Sequence, residues 1–302
     1  MIKKMISLGR RYLAALIARI GKNIPDDIYL KIRFYLEMEQ KLDLNNPQTF
    51  NEKINWLKIY YKNPLLPSLA DKSLVKDYVN KIIGSKYIIP TYGVWNSFDD
   101  IDFTSLPNQF VLKSTNGGGG NGVIVCDNKL TFDKVKAKMK LEKSMKTDWS
   151  IQREWVYNNI SPRIIAEKYM SNNDGSELVD YKFLCFNGEP RLLFLASDRY
   201  KKGEKLKFDW YDMDLNHLPI QSVGYPNSNK KITMFPQFEE MKMIATKLSS
   251  GLPHVRVDLY MIDGNIYFGE LTFFHDGGLV QLNPREWDYR IGNWLKLPPK
   301  TV

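Results

Sequence analysis

The chain has 302 residues, 43% of them hydrophobic and 13% aromatic, enough to bury a core and to exclude general disorder. Its length suits one domain with subdomains, or two domains. Cys126 and Cys185, each in an apolar run, exclude a disulfide framework and a metal-type cysteine site and fit a reducing compartment, while the +9 net charge suits an acidic partner without choosing among nucleic acid, nucleotide, polysaccharide and lipid.

The first element is "MIKKMISLGRRYLAALIARIGK". Arg10, Arg11 and Arg19 interrupt its apolar part, so it has neither a signal-peptide core nor the length of a membrane span. Ile6, Leu13, Leu16, Ile17 and Ile20 recur at helical spacing, and no acidic residue precedes Asp26. Two readings stay open: a basic amphipathic helix in peripheral contact with an anionic membrane through residues 1–22, or a terminal helix packed on its own domain. The expected location is cytoplasmic, at the inner membrane face if the helix docks there.

A second helix is expected from Pro25-Asp26-Asp27 to about Gln40. Thr49 and Glu52 have capping-box spacing before an amphipathic run. "LADKSLVKDYVNKIIG" reads as one helix stopped by Gly84, and "IIPTYGVW" as extended. Residues 1–107 therefore form a helical N-terminal region with lead-in strands.

From 108 the pattern turns to strands. "QFVLKST" and "GVIVCDN" flank a glycine run, "TFDKVKAKMKLEKSM" is a charged helix, and "RIIAEKYM" is a strand, so residues 108–170 form one unit. Residues 171–302 form another. It holds a hairpin turning at Asn187-Gly188, a strand in "KLKFDWYDMD", a helix in "QFEEMKMIATKLSSGL", and a second hairpin turning at Asp263-Gly264-Asn265. The aromatic stretch "PREWDYRIGNW" reads as core packing. The class is α+β with antiparallel sheets.

"KSTNGGGGNGVIVCD" formally matches the G-x-G-x-x-G spacing. A dinucleotide fingerprint needs a helix next, but a strand follows; a Walker loop needs Gly-Lys-Ser/Thr, which is absent. The protein-kinase H-R-D and D-F-G motifs are absent too. Against a plain flexible hairpin tip stands a phosphate lid whose bare backbone offers N–H groups, with Lys113 aimed at phosphate from the preceding strand. An edge-strand lysine is the ordinary alternative for Lys113.

In "RVDLYMIDGNIYFGELTF", Arg256 and Asp258 share one strand face, and so do Glu270 and Thr272. A tight hairpin can bring the two faces together. Two carboxylates there suit Mg²⁺, and Arg256 suits a phosphoryl group or an oxyanion; a solvated polar face is the ordinary alternative. Glu167, Lys168 and Met170 end an apolar strand able to border a base, and Lys182 lies among aromatics on another.

The order Lys113, glycine hairpin, Glu167, Lys182, Asp258, Glu270 resembles the ATP-grasp superfamily, in which ATP lies between two α+β subdomains. "TFNEKINWLKIYY", "LADKSLVKDYV", "DYKFLCFNGEP" and "VRVDLYMIDGNIYFGELTF" resemble its TupA-like branch, found among bacterial surface-polysaccharide genes; the resemblance covers about residues 25–295. It implies that Lys113 and Lys182 contact ATP phosphates under a lid of Gly117, Gly118, Gly119 and Gly120, and that Glu167, Lys168 and Met170 border adenine. It further implies that Asp258 and Glu270 hold Mg²⁺ and that Arg256 stabilises a phosphorylated intermediate. Thr272 stands where many such ligases have Asn, so a second metal is held differently or more weakly. Asp174 and Glu177 are candidates for the ribose. His275 and Asp276 are candidates for substrate or base, with a locally bonded turn histidine as the alternative, and Arg199 for an acidic substrate, with a surface arginine as the alternative. His217 and His254 have no partner visible in the sequence.

The resemblance implies an ATP-dependent ligase joining the carboxylate of a uronic-acid-type sugar to an amino acid or small amine through an acyl phosphate. The expected partners are a small amine and an anionic sugar or glycan, not nucleic acid. A sugar kinase on the same fold is one alternative. A glycosyltransferase or a non-catalytic polysaccharide-binding protein is another.

Overall fold

A computed structural model describes residues 2–118, 120–198, 203–228 and 232–301, without the side chains of residues 2–8, 11 and 12. Gly119 and Arg199, both singled out above, lie outside the described residues.

The N-terminal region is helical: α1 (Ile2–Ile20), α2 (Asp26–Met38), α3 (Phe50–Tyr60), α4 (Leu66–Ala70) and α5 (Val75–Ile83). Thr49 caps α3 with the expected box: its hydroxyl accepts from the Glu52 amide, and the Glu52 carboxylate accepts from the Thr49 amide at 2.9 Å. The stretch read as one helix up to Gly84 is two. One Asp71 carboxylate oxygen accepts from the Ser73 amide, the Ser73 hydroxyl and the Leu74 amide, and this local turn competes successfully with the helix.

Two antiparallel sheets follow. The smaller has the order β1-β4-β2-β3, with β1 (Thr91–Trp95), β2 (Phe110–Ser114), β3 (Val123–Cys126) and β4 (Ile164–Lys168). Strand β1 lies before residue 108 yet pairs with β4. One face of this sheet and α6 (Lys134–Met145) enclose a small core including Phe110, Leu112, Ala137 and Leu141. The short α7 (Trp155–Asn158) precedes β4.

The larger sheet has the order β10-β9-β5-β6-β7, with β5 (Val179–Phe186), β6 (Glu189–Ser197), β7 (Lys207–Tyr211), β9 (His254–Ile262) and β10 (Asn265–Thr272). Its turns at Asn187-Gly188 and Asp263-Gly264 have positive φ at both residues, the geometry that matches strand twist. Strand β8 (Gln221–Ser222) pairs with β11 (Leu282–Asn283). Helix α8 (Gln237–Ser249) buries Phe238, Met241, Ile244, Ala245 and Leu248 in the core that this sheet shares with the N-terminal helices. Helix α9 (Glu286–Trp294), formed by the "REWDYRIGNW" stretch, closes that core against α3, where Lys53 donates to the Gly292 and Leu295 carbonyls at 2.8 Å each.

His254 opens β9 inside this core. Its Nδ1 lies 2.9 Å from the Cys185 carbonyl, and its ring lies 5.1 Å from Phe50 and 4.9 Å from Phe186. Burial pushes its pKa down to about 3, so the folded protein holds it neutral while the unfolded chain protonates it near the ordinary histidine value. Between about pH 6.5 and 3 the unfolded state therefore binds one more proton here, and stability falls as pH falls, by up to about 1.4 kcal/mol per pH unit. His254→Gln, which keeps an amide donor for Cys185, is expected to remove that slope from urea-unfolding free energies measured across this window; an unchanged slope would assign it to other groups.

Candidate functional site

The larger sheet carries a row of charged side chains on one face. Strand register sets Lys182 opposite Asp258, Asp258 opposite Glu270, and Arg256 opposite Thr272. A bulge between Phe268 and Glu270 makes this alignment. Without it, the ladder running from the Ile262–Asn265 pair would set Glu270 opposite Val257, on the buried apolar face. Gly269 at the bulge lies so close to the Asp258 carbonyl that a Cβ would stand 3.0 Å from that oxygen.

Arg256 grips Asp258 with Nε–Oδ1 at 2.7 Å and Nη2–Oδ2 at 2.8 Å, and its Nη2 also donates to Glu270 at 3.0 Å. Lys182 bonds Asp258 and lies 2.5 Å from Asp180. Burial alone would raise the Asp258 carboxyl, but Arg256 and Lys182 hold it below the usual carboxylate range. Burial raises the neighbouring Asp180 carboxyl against the pull of Lys182, and its Oδ1 is buried with no hydrogen-bond partner.

The smaller sheet contributes a second cluster. The Glu167 carboxylate lies 2.6 Å from Lys113 and 2.5 Å from Lys76, which reaches across from α5. Burial would raise this carboxyl too, yet the two ammonium groups hold it below its ordinary value. Lys168 is exposed at the end of β4, its amide bonded to the Pro90 carbonyl, and Met170 is half-buried just beyond.

Lys72 joins the first cluster to the glycine loop. Its ammonium donates to the Gly117 carbonyl and lies 3.7 Å from Glu270, and its amide donates to the Thr115 carbonyl. The turn at Asp71 puts it there, and Arg163 braces that turn through the Ser73 hydroxyl at 2.7 Å and Asp71 at 3.5 Å.

The base of the glycine loop is pinned. The Ser114 amide donates to the Gly122 carbonyl, and the Ser114 and Ser144 hydroxyls bond each other at 2.7 Å. Those hydroxyls occupy the space a Cβ on Gly122 would need, and Gly120 has a φ of 78°. The Trp149 ring lies under Gly118 and packs on Tyr157 with centroids 4.9 Å apart.

His275 is not on an open turn surface. It is buried near the rings of Phe50, Phe194 and Trp210, with Nδ1 3.4 Å from Arg256 Nη1. Burial lowers its pKa, so it is a neutral acceptor for Arg256. Asp276 is half-exposed at φ 46°. Glu177 accepts from the Asp198 amide at 3.3 Å, and Asp174 is exposed, its carboxylate bonded to the Ser176 amide. His217 pairs with Asp209 at 3.1 Å.

Among the described residues no three Asp, Glu, His or Cys side chains gather into a cage for a metal ion. Glu270 is the partly exposed carboxylate of the row, with the Thr272 hydroxyl 3.4 Å away, whereas the Asp258 oxygens are already bonded to Arg256 and Lys182. The unpartnered Asp180 oxygen is the other donor on this face. This set fits Mg²⁺ held chiefly by Glu270. The sequence reading did not single out Lys72, Lys76, Asp180, Trp149 or Arg163. "DKSLVK" held a signal for the first two, a lysine pair four apart beside a turn-forming Asp-x-Ser.

Residues 52–296 match the family described as TupA-like ATPgrasp. The chain belongs to this family, and its fold is ATP-grasp. Among curated proteins none matches. Solved structures similar to this TupA-like protein include D-alanine–D-alanine ligase from Helicobacter pylori, 17% identical with a TM-score of 0.43, covering 78% of this chain and 60% of that one. D-cycloserine synthetase DcsG is 16% identical with a TM-score of 0.41, covering 77% and 72%. The ATP-grasp ligase PsnB, complexed with a phosphomimetic variant of its minimal precursor, Mg and ADP, is 10% identical with a TM-score of 0.42, covering 81% and 66%. The chain spans 54–63% of the length of the D-alanine–D-alanine ligases that head these matches.

Because Lys72 holds the Gly117 carbonyl, Lys72→Met is expected to loosen the loop. Amide hydrogen exchange at Gly117, Gly118, Gly120 and Asn121 should speed up about tenfold with an unchanged melting temperature. Equal exchange rates would mean that the serine pair alone pins the loop.

Proposed function

We propose that this TupA-like protein is an ATP-dependent carboxylate–amine ligase. The observation that carries the reading is Lys72, which touches both the glycine loop of the small sheet and Glu270 of the large one, with a cationic cluster on each sheet, Lys113 with Lys76 and Lys182 with Arg256. Such a site suits a polyphosphate: ammonium groups neutralise its oxygens, and the loop amides cover it.

ATP is the first substrate. Lys113 and Lys182 bind its phosphates, Gly117, Gly118 and Gly120 lie over them, and Glu167, Lys168 and Met170 border the base. Glu270, with the Thr272 hydroxyl beside it, would hold Mg²⁺, which neutralises charge on the transferring phosphoryl group when bound. A substrate carboxylate oxygen attacks the γ-phosphorus as the bond to ADP breaks, giving an acyl phosphate. An amine nitrogen then attacks the acyl carbon, phosphate leaves, and the nitrogen gives up a proton, forming an amide. Arg256, oriented by its fork on Asp258, lies where it can stabilise the oxyanion of that second step. Neutral His275 bonds the same guanidinium from behind.

The carboxylate we propose is that of a uronic-acid-type sugar in a capsule or O-antigen, and the acceptor is an amino acid or small amine. The TupA-like family match and the +9 net charge support this choice.

The test is an ADP-release screen of purified protein crossing sugar acids with amines. Amine-dependent ADP and phosphate release supports ligation, whereas a stable phosphorylated sugar would replace it with a kinase. Lys113→Ala and Glu270→Ala should each lower turnover by about 100-fold or more with unchanged circular dichroism. Wild-type turnover in either would sink the site assignment.

A further inference from the structure

Helix α1 lies outside the span that matches the family, so the shared fold does not account for it. One side of it packs inward: Ala14 is buried, Ile17 rests on the main core, and Gly21 just beyond the helix sits against the Tyr29 ring of α2. The adjoining side carries apolar residues that its own domain leaves open. Leu13, Leu16 and Ile20, spaced three and four apart, are 44%, 42% and 67% exposed. A helix that needed only its own domain would bury this edge of its apolar face or make it polar.

The charges of the helix's own segment have a single sign. Residues 1–22 contain Lys3, Lys4, Arg10, Arg11, Arg19 and Lys22 and no Asp or Glu. Arg10 is answered by Glu39 at the end of α2, while Arg19 and Lys22 are exposed beside Ile20. We infer that this face of α1 docks on an anionic phospholipid bilayer, with Leu13, Leu16 and Ile20 entering the interface and the basic residues meeting the headgroups. A second copy of the chain fits poorly, because a two-fold contact through this ridge would set each basic segment against its twin. No helix among the described residues is long and apolar enough to cross a membrane, so the contact is peripheral.

The helix is tied to the site. Arg153 donates to the Gly21 and Ile24 carbonyls at 2.8 and 3.0 Å and pairs with Asp26 at 2.7 Å, and the Tyr29 hydroxyl donates to the Ile151 carbonyl at 2.6 Å. The segment clamped this way also carries Trp149, which lies under the glycine loop. A docked α1 therefore holds the lid side of the molecule to the membrane.

Co-sedimentation of the full chain with vesicles tests the docking. Vesicles containing phosphatidylglycerol should bind it at least about tenfold more tightly than phosphatidylcholine alone, and added salt should weaken that binding. Leu16→Asp with Ile20→Asp, and separately Arg19→Glu with Lys22→Glu, should each lose about tenfold or more of it with the melting temperature and vesicle-free ADP release kept. Equal binding to both vesicle types, or variants that bind like wild type, would overturn the inference. So would a concentration-dependent dimer in light scattering that Leu16→Asp with Ile20→Asp abolishes, since a second copy would then cover the ridge. None of these outcomes touches Lys113 or Glu270, so the docking and the ligase chemistry fail separately.

Discussion

The buried fork between Arg256 and Asp258 is the interaction on which the rest of the site depends. Both lie on β9, two residues apart, with Asp258 fully enclosed. A carboxylate taken out of water is tolerable only when paired and hydrogen-bonded, and here Arg256 takes one side of it while Lys182 completes the other. The arrangement works only in one register, because a slip of one residue would turn every member of the row into the apolar core. The same fork leaves Arg256 free to touch Glu270 and His275, so the group that stabilises the buried charge also organises the open end of the site.

A second constraint is how the two sheets are held in relation to each other. The glycine loop belongs to the small sheet and Glu270 to the large one, and Lys72 from the N-terminal region contacts both. The loop's composition has two separate causes. Close packing on the Ser114–Ser144 pair excludes a side chain at Gly122, and left-handed backbone explains Gly120.

Much of this was legible in the chain. The Thr49–Glu52 box, the hairpin turns and the shared faces of Arg256 with Asp258 and of Glu270 with Thr272 follow from local rules of capping, turn preference and alternation. Other parts were hidden. Lys72 and Lys76 lay unremarked in a stretch read as one helix, because nothing local reveals that Asp71 breaks the helix and swings one lysine onto the loop. His275 read as a substrate or base candidate or a turn histidine, because the rings of Phe50, Phe194 and Trp210 that enclose it come from distant parts of the chain.

By itself, then, the sequence determined most of the elements, which residues share a strand face, and the family signature running from Lys113 to Glu270. The tertiary structure alone decided how those faces meet. Lys182 reaches Asp258 because β5 pairs with β9 across an intervening helix and three strands, a long-range choice that alternation cannot encode. Glu270 faces Asp258, and not the core beside Val257, because the ladder bulges at Gly269. A period-two pattern fixes faces only within an unbroken strand. One inserted residue reverses them, and close backbone packing decides where the insertion falls.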